Sequence, residues 1–405
     1  MQSYDALKTT SKENLISTKP SDRIRILYVH NSADTYGASR SLLRLLGTLD
    51  RTRYEPLVVL PEEGPLKARL EDINVPVCVD SSLAIIDRYA FLLTLFCYRF
   101  PVSVLRLTRL IRRARIDLVH TNTAVIFSPG VAARLSGIPH VWHVRESFDE
   151  FPRPLWRLYS RYMSTLSNKL VCVSNAVARQ FAGSGKIAVI HNGFSLDEFA
   201  VDQKRLREQF RRGFGINETD FVVACVGRIK WKRKGQEFLV QAIARLRDSG
   251  VRVVAVVAGL PWPGNESQVQ GLRALVEELN LQDRVILTGE FPDSSVVYAG
   301  ADVLVLPSAQ PEPFAGVVME AMVMEKPVIA TAVGGSLDQV VDGETGYLIP
   351  PGDPVMLAEK IRLLMADPEM RSRMGKAGAI RVRDVFNLRQ MVEKMEGVYR
   401  EVLAR

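Results

Sequence analysis

Short apolar runs alternate with longer segments of helical periodicity along most of the chain. This alternation predicts parallel β-sheets with helices on both faces. The first set of predicted strands is "IRILYV" (24–29), "PLVVL" (56–60), "VPVCV" (75–79), "DLVHT" (117–121), "PHVWHV" (139–144), "KLVCVS" (169–174) and "IAVIH" (187–191). The second set is "FVVACV" (221–226), "RVVAVVAG" (252–259), "RVILTG" (284–289), "DVLVLP" (302–307), "PVIAT" (327–331) and "GYLIP" (346–350).

A polar connection separates the two sets of strands, and 405 residues are too many for one ordinary core. We therefore expect an α/β protein with two doubly wound, Rossmann-like domains that face a central cleft. The predicted parts are a flexible tail (1–21), a first domain (22–195), a second domain (196–385) and a last helix (386–405) that packs back on the first domain. Ligands of open α/β sheets bind beyond the carboxyl ends of the strands, so the loops there are the candidate site.

The composition is that of a globular protein, with 47% hydrophobic and 24% charged residues. The formal net charge of +8 favours an anionic partner and leaves nucleic acid, a membrane surface and a phosphorylated substrate open. The four cysteines, Cys78, Cys97, Cys172 and Cys225, lie far apart in apolar contexts and have no metal-site spacing. We expect these cysteines to be buried thiols in a reducing compartment. Neither a signal-peptide pattern nor a membrane-spanning run is recognised, so we expect a cytoplasmic protein.

Cations cluster in "VGRIKWKRKG" (226–235), directly after the first strand of the second domain. Arg228, Lys232, Arg233 and Lys234 precede Gly235 and a helix that should begin near Gln236. Fixed positive charges at a strand-to-helix loop suit a diphosphate, although a solvated basic loop is an equal alternative. The loop has neither the GxGxxG nor the Walker glycine pattern, which counts against dinucleotide and P-loop sites.

The matching loop of the first domain is "NSADTYGASRSLLRLL" (31–46). Gly37 and Ala38 would let the backbone approach a ligand, and Ser39 is the predicted N-cap of the helix that follows. An ordinary turn into a helix is the alternative.

Two glutamates flank a predicted helix start in "PEPFAGVVMEAM" (311–322). The helix should begin at Ala315 or Gly316 and run to about Glu325, with Glu312 before it and Glu320 one turn inside. Free backbone N–H groups at the helix start would attract phosphate oxygens, and the carboxylates would accept hydrogen bonds from hydroxyl groups. Alternatively, both glutamates are ordinary solvated residues, one of which stabilises the helix N-terminus.

Taken together, "PEPFAGVVMEAMVMEKPVIATAVGG", "VGRI…KRKG" and "TGYLIPPGDP" resemble the family 4 retaining glycosyltransferases of the GT-B fold, the bacterial-type group 1 enzymes. Glu312 and Glu320 match the family's two glutamates separated by seven residues. The resemblance extends from about Arg23 to about Val385. In the first half it is carried by "YGASRSLLRLL", "HTNTAVIFSPGVAARLSGIPHVWHVRE" and "VSNAVARQF…IAVIHNGFSLDEF".

The resemblance implies roles for individual residues. Glu320 would bind the ribose hydroxyls of a sugar nucleotide, and Glu312 would bind hydroxyls of the donor sugar beside its anomeric carbon. Arg228 and Lys234 would hold the diphosphate. Backbone N–H groups of Gly37, Phe314, Ala315, Gly316 and Val317 would assist.

His143, in "WHVRE", matches a histidine that faces the donor sugar, although a histidine at the end of an apolar strand is more often structural. The sequence constrains the base poorly: backbone contacts around Gly289–Phe291 are a candidate, and the preference for a UDP-sugar over GDP- or ADP-sugars is only a prior. Two departures bear on these roles. The cation loop is one residue longer than the usual pattern, so Lys232 or Arg233 could replace Lys234, and Tyr36 replaces the first glycine of the commoner Gly-Gly.

The chain contains no Asp-x-Asp motif, the usual metal site of metal-dependent glycosyltransferases. We therefore expect no metal and no cofactor other than the nucleotide-sugar co-substrate, with fixed cations and a helix N-terminus stabilising the departing diphosphate. The resemblance implies retention of the anomeric configuration. Glu312 could attack covalently or position the sugar, and we favour positioning.

The predicted acceptor is a glycan or a lipid-linked hydroxyl in polysaccharide or glycolipid synthesis. The segment "RFPVSVLRLTRLIRRAR" (99–115) has six arginines and no acid, so it could lie with the apolar run 89–98 on the anionic inner face of a membrane. A packed helix with a solvated arginine face is the alternative. A sugar-nucleotide epimerase or hydrolase and, less favoured, a nucleic-acid-binding protein are the rival functions; no recognition-helix or RNA-binding motif supports the latter.

Overall fold

The computed structural model describes residues 22–85, 98–247 and 252–404, and two parallel β-sheets confirm the predicted pair of α/β domains. The predicted tail (1–21) and all but the last residue of the apolar run 89–98 lie outside the described residues. Each predicted strand corresponds to an observed one. The strand predicted over 169–174 ends at Cys172, because the Ser174 hydroxyl turns to accept a hydrogen bond from the Val177 N–H at 3.2 Å and caps the next helix.

The first sheet has seven strands in the order β3-β2-β1-β4-β5-β6-β7. Its strands are β1 (Ile24–Val29), β2 (Tyr54–Leu60), β3 (Val77–Val79), β4 (Leu118–Thr121), β5 (His140–Val144), β6 (Lys169–Cys172) and β7 (Ile187–Val189). The helices between them are α1 (Gly37–Thr48), α2 (Pro65–Asp72), α3 (Phe100–Arg113), α4 (Ser128–Ser136), α5 (Arg153–Leu166) and α6 (Asn175–Arg179). Helices on both faces leave the central strands fully buried, which explains why β4 and β5 are buried at every position.

The second sheet has six strands in the order β10-β9-β8-β11-β12-β13. Its strands are β8 (Phe221–Val226), β9 (Val253–Ala258), β10 (Val285–Gly289), β11 (Val303–Leu306), β12 (Val328–Thr331) and β13 (Gly346–Ile349). The helices are α7 (Gln203–Gly213), α8 (Gln236–Arg245), α9 (Ser267–Glu278), α10 (Ser295–Gly300), α11 (Gly316–Val323), α12 (Ser336–Gln339), α13 (Pro354–Ala366) and α14 (Pro368–Val385). In both sheets the strand order reverses beside the first strand, which opens a crevice at the carboxyl ends.

The chain crosses between the domains twice, and the two crossings lie side by side. After β7, the Phe194 N–H donates to the Phe386 carbonyl at 2.8 Å, and the Leu388 N–H donates back to the Phe194 carbonyl at 3.0 Å. A side chain at Gly193 would place its Cβ 2.6 Å from the Leu388 Cα, so this close approach requires glycine. The paired crossings fix where the two sheets face each other.

The last helix, α15 (Leu388–Leu403), packs against α1 of the first domain. Met391, Met395 and Tyr399 of α15 are buried in the core that contains β1. The Tyr399 hydroxyl also lies 2.8 Å from His120 Nδ1, at the end of β4. The second crossing is therefore anchored within the first domain.

Replacement of Gly193 by alanine should lower the free energy of unfolding by roughly 1–3 kcal/mol, because the added methyl group overlaps the Leu388 backbone. Urea denaturation would measure the change. Gly185→Ala is the matched control, since a Cβ there meets nothing within 4 Å. Equal stability of the two variants would contradict the close approach of the crossings.

Candidate active site

A cavity of about 350 Å³ lies between the carboxyl ends of the two sheets. Loops after β1, β5, β6 and β7 form one wall, and loops after β8, β9, β10 and β11 form the other. Nine of the eleven residues predicted from the sequence line it: Gly37, Arg228, Lys234, Glu312, Phe314, Ala315, Gly316, Val317 and Glu320. His143 and Gly289 do not.

Lys234 and Glu312 form an ion pair on the wall of the second domain. The Lys234 Nζ lies 3.2 Å from Glu312 Oε1, and the Ser308 hydroxyl donates to the same oxygen at 2.7 Å. Burial alone would raise the pKa of Glu312, but Lys234, Ser308 and Arg233 outweigh it and hold the pKa below its ordinary value. Glu312 is therefore a carboxylate at neutral pH and cannot serve as a resident proton donor.

Two glycine positions bring this pair together. Gly235 has φ +65°, and a Cβ there would lie 1.9 Å from the Pro307 carbonyl oxygen, so the cation loop can pack onto the end of β11. Gly335 donates its N–H to the Glu312 carbonyl at 2.7 Å and lies under the loop that carries the glutamate. Of the three cations considered in this loop, only Lys234 lines the cavity.

Glu320 is only 4% exposed and is held by three donors. Oε2 accepts from the Tyr298 hydroxyl at 2.9 Å and the Ser294 hydroxyl at 3.2 Å, and Oε1 accepts from Arg40 Nη1 at 3.2 Å. Arg40 belongs to α1, so this ion pair crosses the cleft. A ligand hydroxyl that reaches Oε1 would compete with the partly exposed Arg40 side chain.

The N-terminus of α11 faces the cavity, but one of its predicted free N–H groups is occupied. Helix α11 begins at Gly316, as predicted, and ends at Val323 instead of about Glu325. The Ala315 N–H donates to Gln339 Oε1 at 3.2 Å, and Gln339 Nε2 donates back to the Ala315 carbonyl at 2.8 Å. The prediction of a free N–H at Ala315 was wrong, because Gln339 reaches it from 24 residues further along the chain.

Arg228 lies between two aromatic rings. Its guanidinium carbon is 3.5 Å from the centre of the Tyr36 ring and 3.3 Å from that of Trp262, and Nη2 lies 3.4 Å from Asp34 Oδ2. Tyr36 and Asp34 come from the first domain, whereas Arg228 and Trp262 come from the second. The tyrosine that departs from the usual Gly-Gly thus takes part in a cation–π contact across the cleft.

Gly37 is the first residue of α1 and faces open space, since an added Cβ would meet nothing within 4 Å. The prediction that Ser39 caps this helix was wrong. The helix begins at Gly37 with Tyr36 at the N-cap position, three residues before Ser39. The buried Ser39 hydroxyl donates to Asp34 Oδ1 at 3.0 Å and lies 3.0 Å from His30 Nε2. Ser39 therefore stiffens the loop before the helix.

His143 lies behind the cavity wall. It is 2% exposed, its Nδ1 lies 3.4 Å from Arg145 Nη2, and its ring meets the edge of His120. Burial lowers the pKa of His143 well below its usual range, and the charges of Arg145 and His120 lower it further. His143 is therefore neutral, and Arg145 stands between it and the cavity.

Gly289 ends β10 with φ +76°, and its carbonyl accepts a hydrogen bond from the Gly259 N–H at 2.7 Å. The next two residues, Glu290 and Phe291, line the cavity in its place. Gly289 therefore supports the loop that lines the cavity without lining the cavity itself.

Sequence reasoning missed several cavity residues because their role depends on contacts between distant segments. They are Arg40, Arg44, Arg145, Asn192, Ser294 and Trp262, the last of these through its contact with Arg228. The available signals were positional: Arg145 directly follows a predicted strand in "WHVRE", and Arg40, Arg44 and Asn192 lie inside motifs that carry the resemblance. In the described ranges, no three His, Cys, Asp or Glu side chains are grouped as a metal site, and no helix is long and apolar enough to cross a membrane.

Comparison with known proteins assigns both halves of the chain. Residues 35–198 match the family model Glycosyltransferase Family 4, and residues 207–381 match the family model Glycosyl transferases group 1. A D-inositol 3-phosphate glycosyltransferase of Thermomonospora curvata is 30% identical over 326 residues, which are 74% of this chain and 75% of that protein.

The capsular polysaccharide biosynthesis glycosyltransferase CapM of Staphylococcus aureus is 32% identical over 231 residues. That match covers 56% of this chain and 58% of the relative, so the chain spans little more than half the length of CapM. Among solved structures, Anabaena Alr3699/HepE in complex with UDP-glucose superposes with a TM-score of 0.80 at 24% identity, covering 94% of this chain and all of that one. This likeness confirms the GT-B fold.

Glu312→Gln should lower the free energy of unfolding at pH 7 by roughly 1–3 kcal/mol, because Lys234 loses its charged partner. The pKa of Glu312 in the folded protein lies below its ordinary 4.5, so the carboxylate stabilises the protein above pH 4.5 and less as the pH falls through the folded pKa. The difference between wild type and variant should therefore shrink on acidification. Urea denaturation at a series of pH values from 7 downward would measure this difference in free energy of unfolding, with the exposed Glu62→Gln as control. A difference that grows as the pH falls would contradict the lowered pKa of Glu312.

Proposed function

The chain belongs to the family 4, group 1 glycosyltransferases, and we propose that it transfers a sugar from a nucleotide diphosphate-sugar to a hydroxyl of an acceptor. One observation carries the proposal: Lys234, Arg228, the α11 N-terminus and Glu320 line a single cavity between the two sheets. This combination suits a ligand with a diphosphate and a ribose. UDP is the favoured nucleotide, supported by the UDP-glucose complex of the similar Anabaena protein.

In this proposal the diphosphate lies at the N-terminus of α11. Lys234 and Arg228 neutralise the charge that develops as the bond to the sugar breaks, and the Gly316 and Val317 N–H groups assist. Arg228 would turn from Asp34 toward the phosphate, which is a more strongly charged partner. The ribose hydroxyls bind Glu320 beside Ser294 and Tyr298.

We propose that Glu312 positions the donor sugar. Its carboxylate is already fixed by Lys234 and Ser308, which orients it to accept hydrogen bonds from sugar hydroxyls. The departing phosphate oxygen would then take the acceptor's proton, on the same face as the leaving group, and the anomeric configuration would be retained. No step in this scheme calls for a metal ion, because the fixed cations and the helix N-terminus stabilise the leaving group.

We further propose that the acceptor is a glycan or lipid-linked molecule reached at an anionic membrane surface. Helix α4 contacts both α3 and α5, so the three form one surface layer of the first domain. This layer has eight exposed arginines, four on α3, one on α4 and three on α5, and no acidic residue. Exposed leucines lie among them at Leu105, Leu135, Leu155 and Leu158. Exposed cations with interspersed apolar side chains suit an anionic bilayer.

Lys234→Ala and Glu320→Ala should each weaken UDP-glucose binding or slow transfer by roughly 10- to 150-fold, the range for loss of a charge-assisted hydrogen bond. Titration calorimetry of folded variants with UDP and UDP-glucose would measure binding. Lys232→Ala is the matched control, since this neighbouring lysine does not line the cavity. Normal binding by both cavity variants would show that the site is elsewhere.

Consumption of UDP-glucose should depend on an acceptor and should survive a chelator. Rapid consumption without an acceptor would identify an epimerase or a hydrolase, and loss of transfer in the presence of a chelator would refute the metal-free mechanism.

The membrane surface can be tested by sedimentation with vesicles. We expect binding to vesicles that contain phosphatidylglycerol, weakening with salt, and no binding to pure phosphatidylcholine. The triple variant Arg109→Gln, Arg113→Gln, Arg157→Gln should lose most of this binding. Lys204→Gln, Arg205→Gln, Arg212→Gln on α7 removes the same charge from the other domain and should retain it. Equal loss in both variants would contradict a specific surface.

A further inference from the structure

The cations around the cavity differ in their partners. Most of them face a carboxylate: Arg40 faces Glu320, Arg44 faces Glu198, Arg228 faces Asp34 and Lys234 faces Glu312. Arg145 is different. Across the described ranges, no Asp or Glu oxygen lies within ion-pair distance of its guanidinium, and the described hydrogen bonds of the guanidinium go to neutral groups.

Those neutral partners hold the Arg145 side chain in place. Its Nε donates to Asn122 Oδ1 at 2.9 Å, Nη1 donates to Asn192 Oδ1 at 2.7 Å, and Nη2 lies 3.4 Å from His143 Nδ1. The adjacent Glu146 attracts the Arg145 charge and offsets part of the cost of burying it, but makes no described hydrogen bond to the guanidinium. Its oxygens accept from the Thr123 hydroxyl and from backbone N–H groups.

Arg145 keeps unused hydrogen-bonding capacity toward the cavity. A guanidinium has five N–H groups, and three of those of Arg145 are engaged by the contacts above, which leaves two for a ligand. The side chain lines the cavity and is partly exposed there. Burial lowers the pKa of Arg145 to about 10, so the group is still a cation at neutral pH.

A largely desolvated cation without an ion-pair partner at its guanidinium is costly, and an anionic ligand would reduce that cost. A planar guanidinium with two free N–H groups matches a phosphate or a carboxylate in a two-pronged arrangement. Asn192 also lines the cavity beside Arg145. Its Oδ1 is shared with the Ser41 hydroxyl at 2.8 Å, which fixes the amide next to the ligand space.

We propose that Arg145, held by Asn122 and Asn192, is a binding site for an anionic group, a phosphate or carboxylate, on the acceptor. This inference rests on the proposed glycosyl transfer. Arg145 follows β5 of the first sheet, whereas Arg228 and Lys234, proposed for the donor diphosphate, follow β8 of the second. The opposite wall is therefore the side on which an acceptor would meet the donor sugar.

The test uses inorganic phosphate as the probe and the full chain saturated with UDP, so that the donor diphosphate site is filled. Titration calorimetry at constant ionic strength should show phosphate binding to wild type that falls about tenfold or more in Arg145→Gln, with UDP affinity unchanged. Arg145→Lys keeps the charge but loses the planar, two-pronged set of N–H donors, so its phosphate affinity should lie between those of wild type and Arg145→Gln. Arg362→Gln, an exposed arginine on α13 of the other domain, controls for the loss of one charge and should bind phosphate like wild type.

Each other outcome has a distinct meaning. If Arg145→Gln loses affinity for UDP but keeps its affinity for uridine, then Arg145 binds the donor diphosphate and its assignment to the acceptor is wrong. Phosphate binding that is absent in wild type, or equal in wild type and Arg145→Gln, would overturn the anion site. Failure of wild type to bind UDP at all would refute the proposed function instead. If Arg145→Gln does not fold, the Arg145→Lys variant provides the test. A phosphate affinity in that variant equal to wild type would contradict recognition by the two free N–H groups of the guanidinium.

Discussion

The ion pair between Lys234 and Glu312 joins two of the four loops that form the second domain's wall of the cavity. Its geometry depends on Gly235, where any Cβ would collide with the Pro307 carbonyl, and on the Gly335 N–H that supports the Glu312 backbone. The same packing fixes the start of α11 beside both charges. A cation, a carboxylate and a helix N-terminus thus come together because glycines let three loops approach closely.

The other half of the cavity depends on how the two domains are joined. Paired backbone hydrogen bonds between Phe194 and the segment Phe386–Leu388 fix the crossings, and α15 anchors the second crossing in the first domain. The Arg40–Glu320 ion pair and the packing of Arg228 against Tyr36 then bridge the cleft. Charged ligands would have to compete with these contacts, so binding and domain movement are expected to be coupled.

The sequence predicted both sheets, the start of α11 and the two glutamates, because strand periodicity and a proline-rich helix entry are local signals. It could not predict that Gln339 occupies the Ala315 N–H, that Ser39 binds Asp34 and His30, or that Trp262 stacks on Arg228. Those contacts join segments whose distance is set only by the fold. The anion site at Arg145 was missed for the same reason, since the absence of an ion pair at its guanidinium among the described residues is visible only once the fold is known.

The most direct test of the account is a crystal structure of the protein with UDP-glucose. The diphosphate should lie at the N-terminus of α11 within hydrogen-bond distance of Lys234 and Arg228, with the ribose on Glu320 and the glucose beside Glu312. A nucleotide bound outside the cavity, or a ribose far from Glu320, would contradict it.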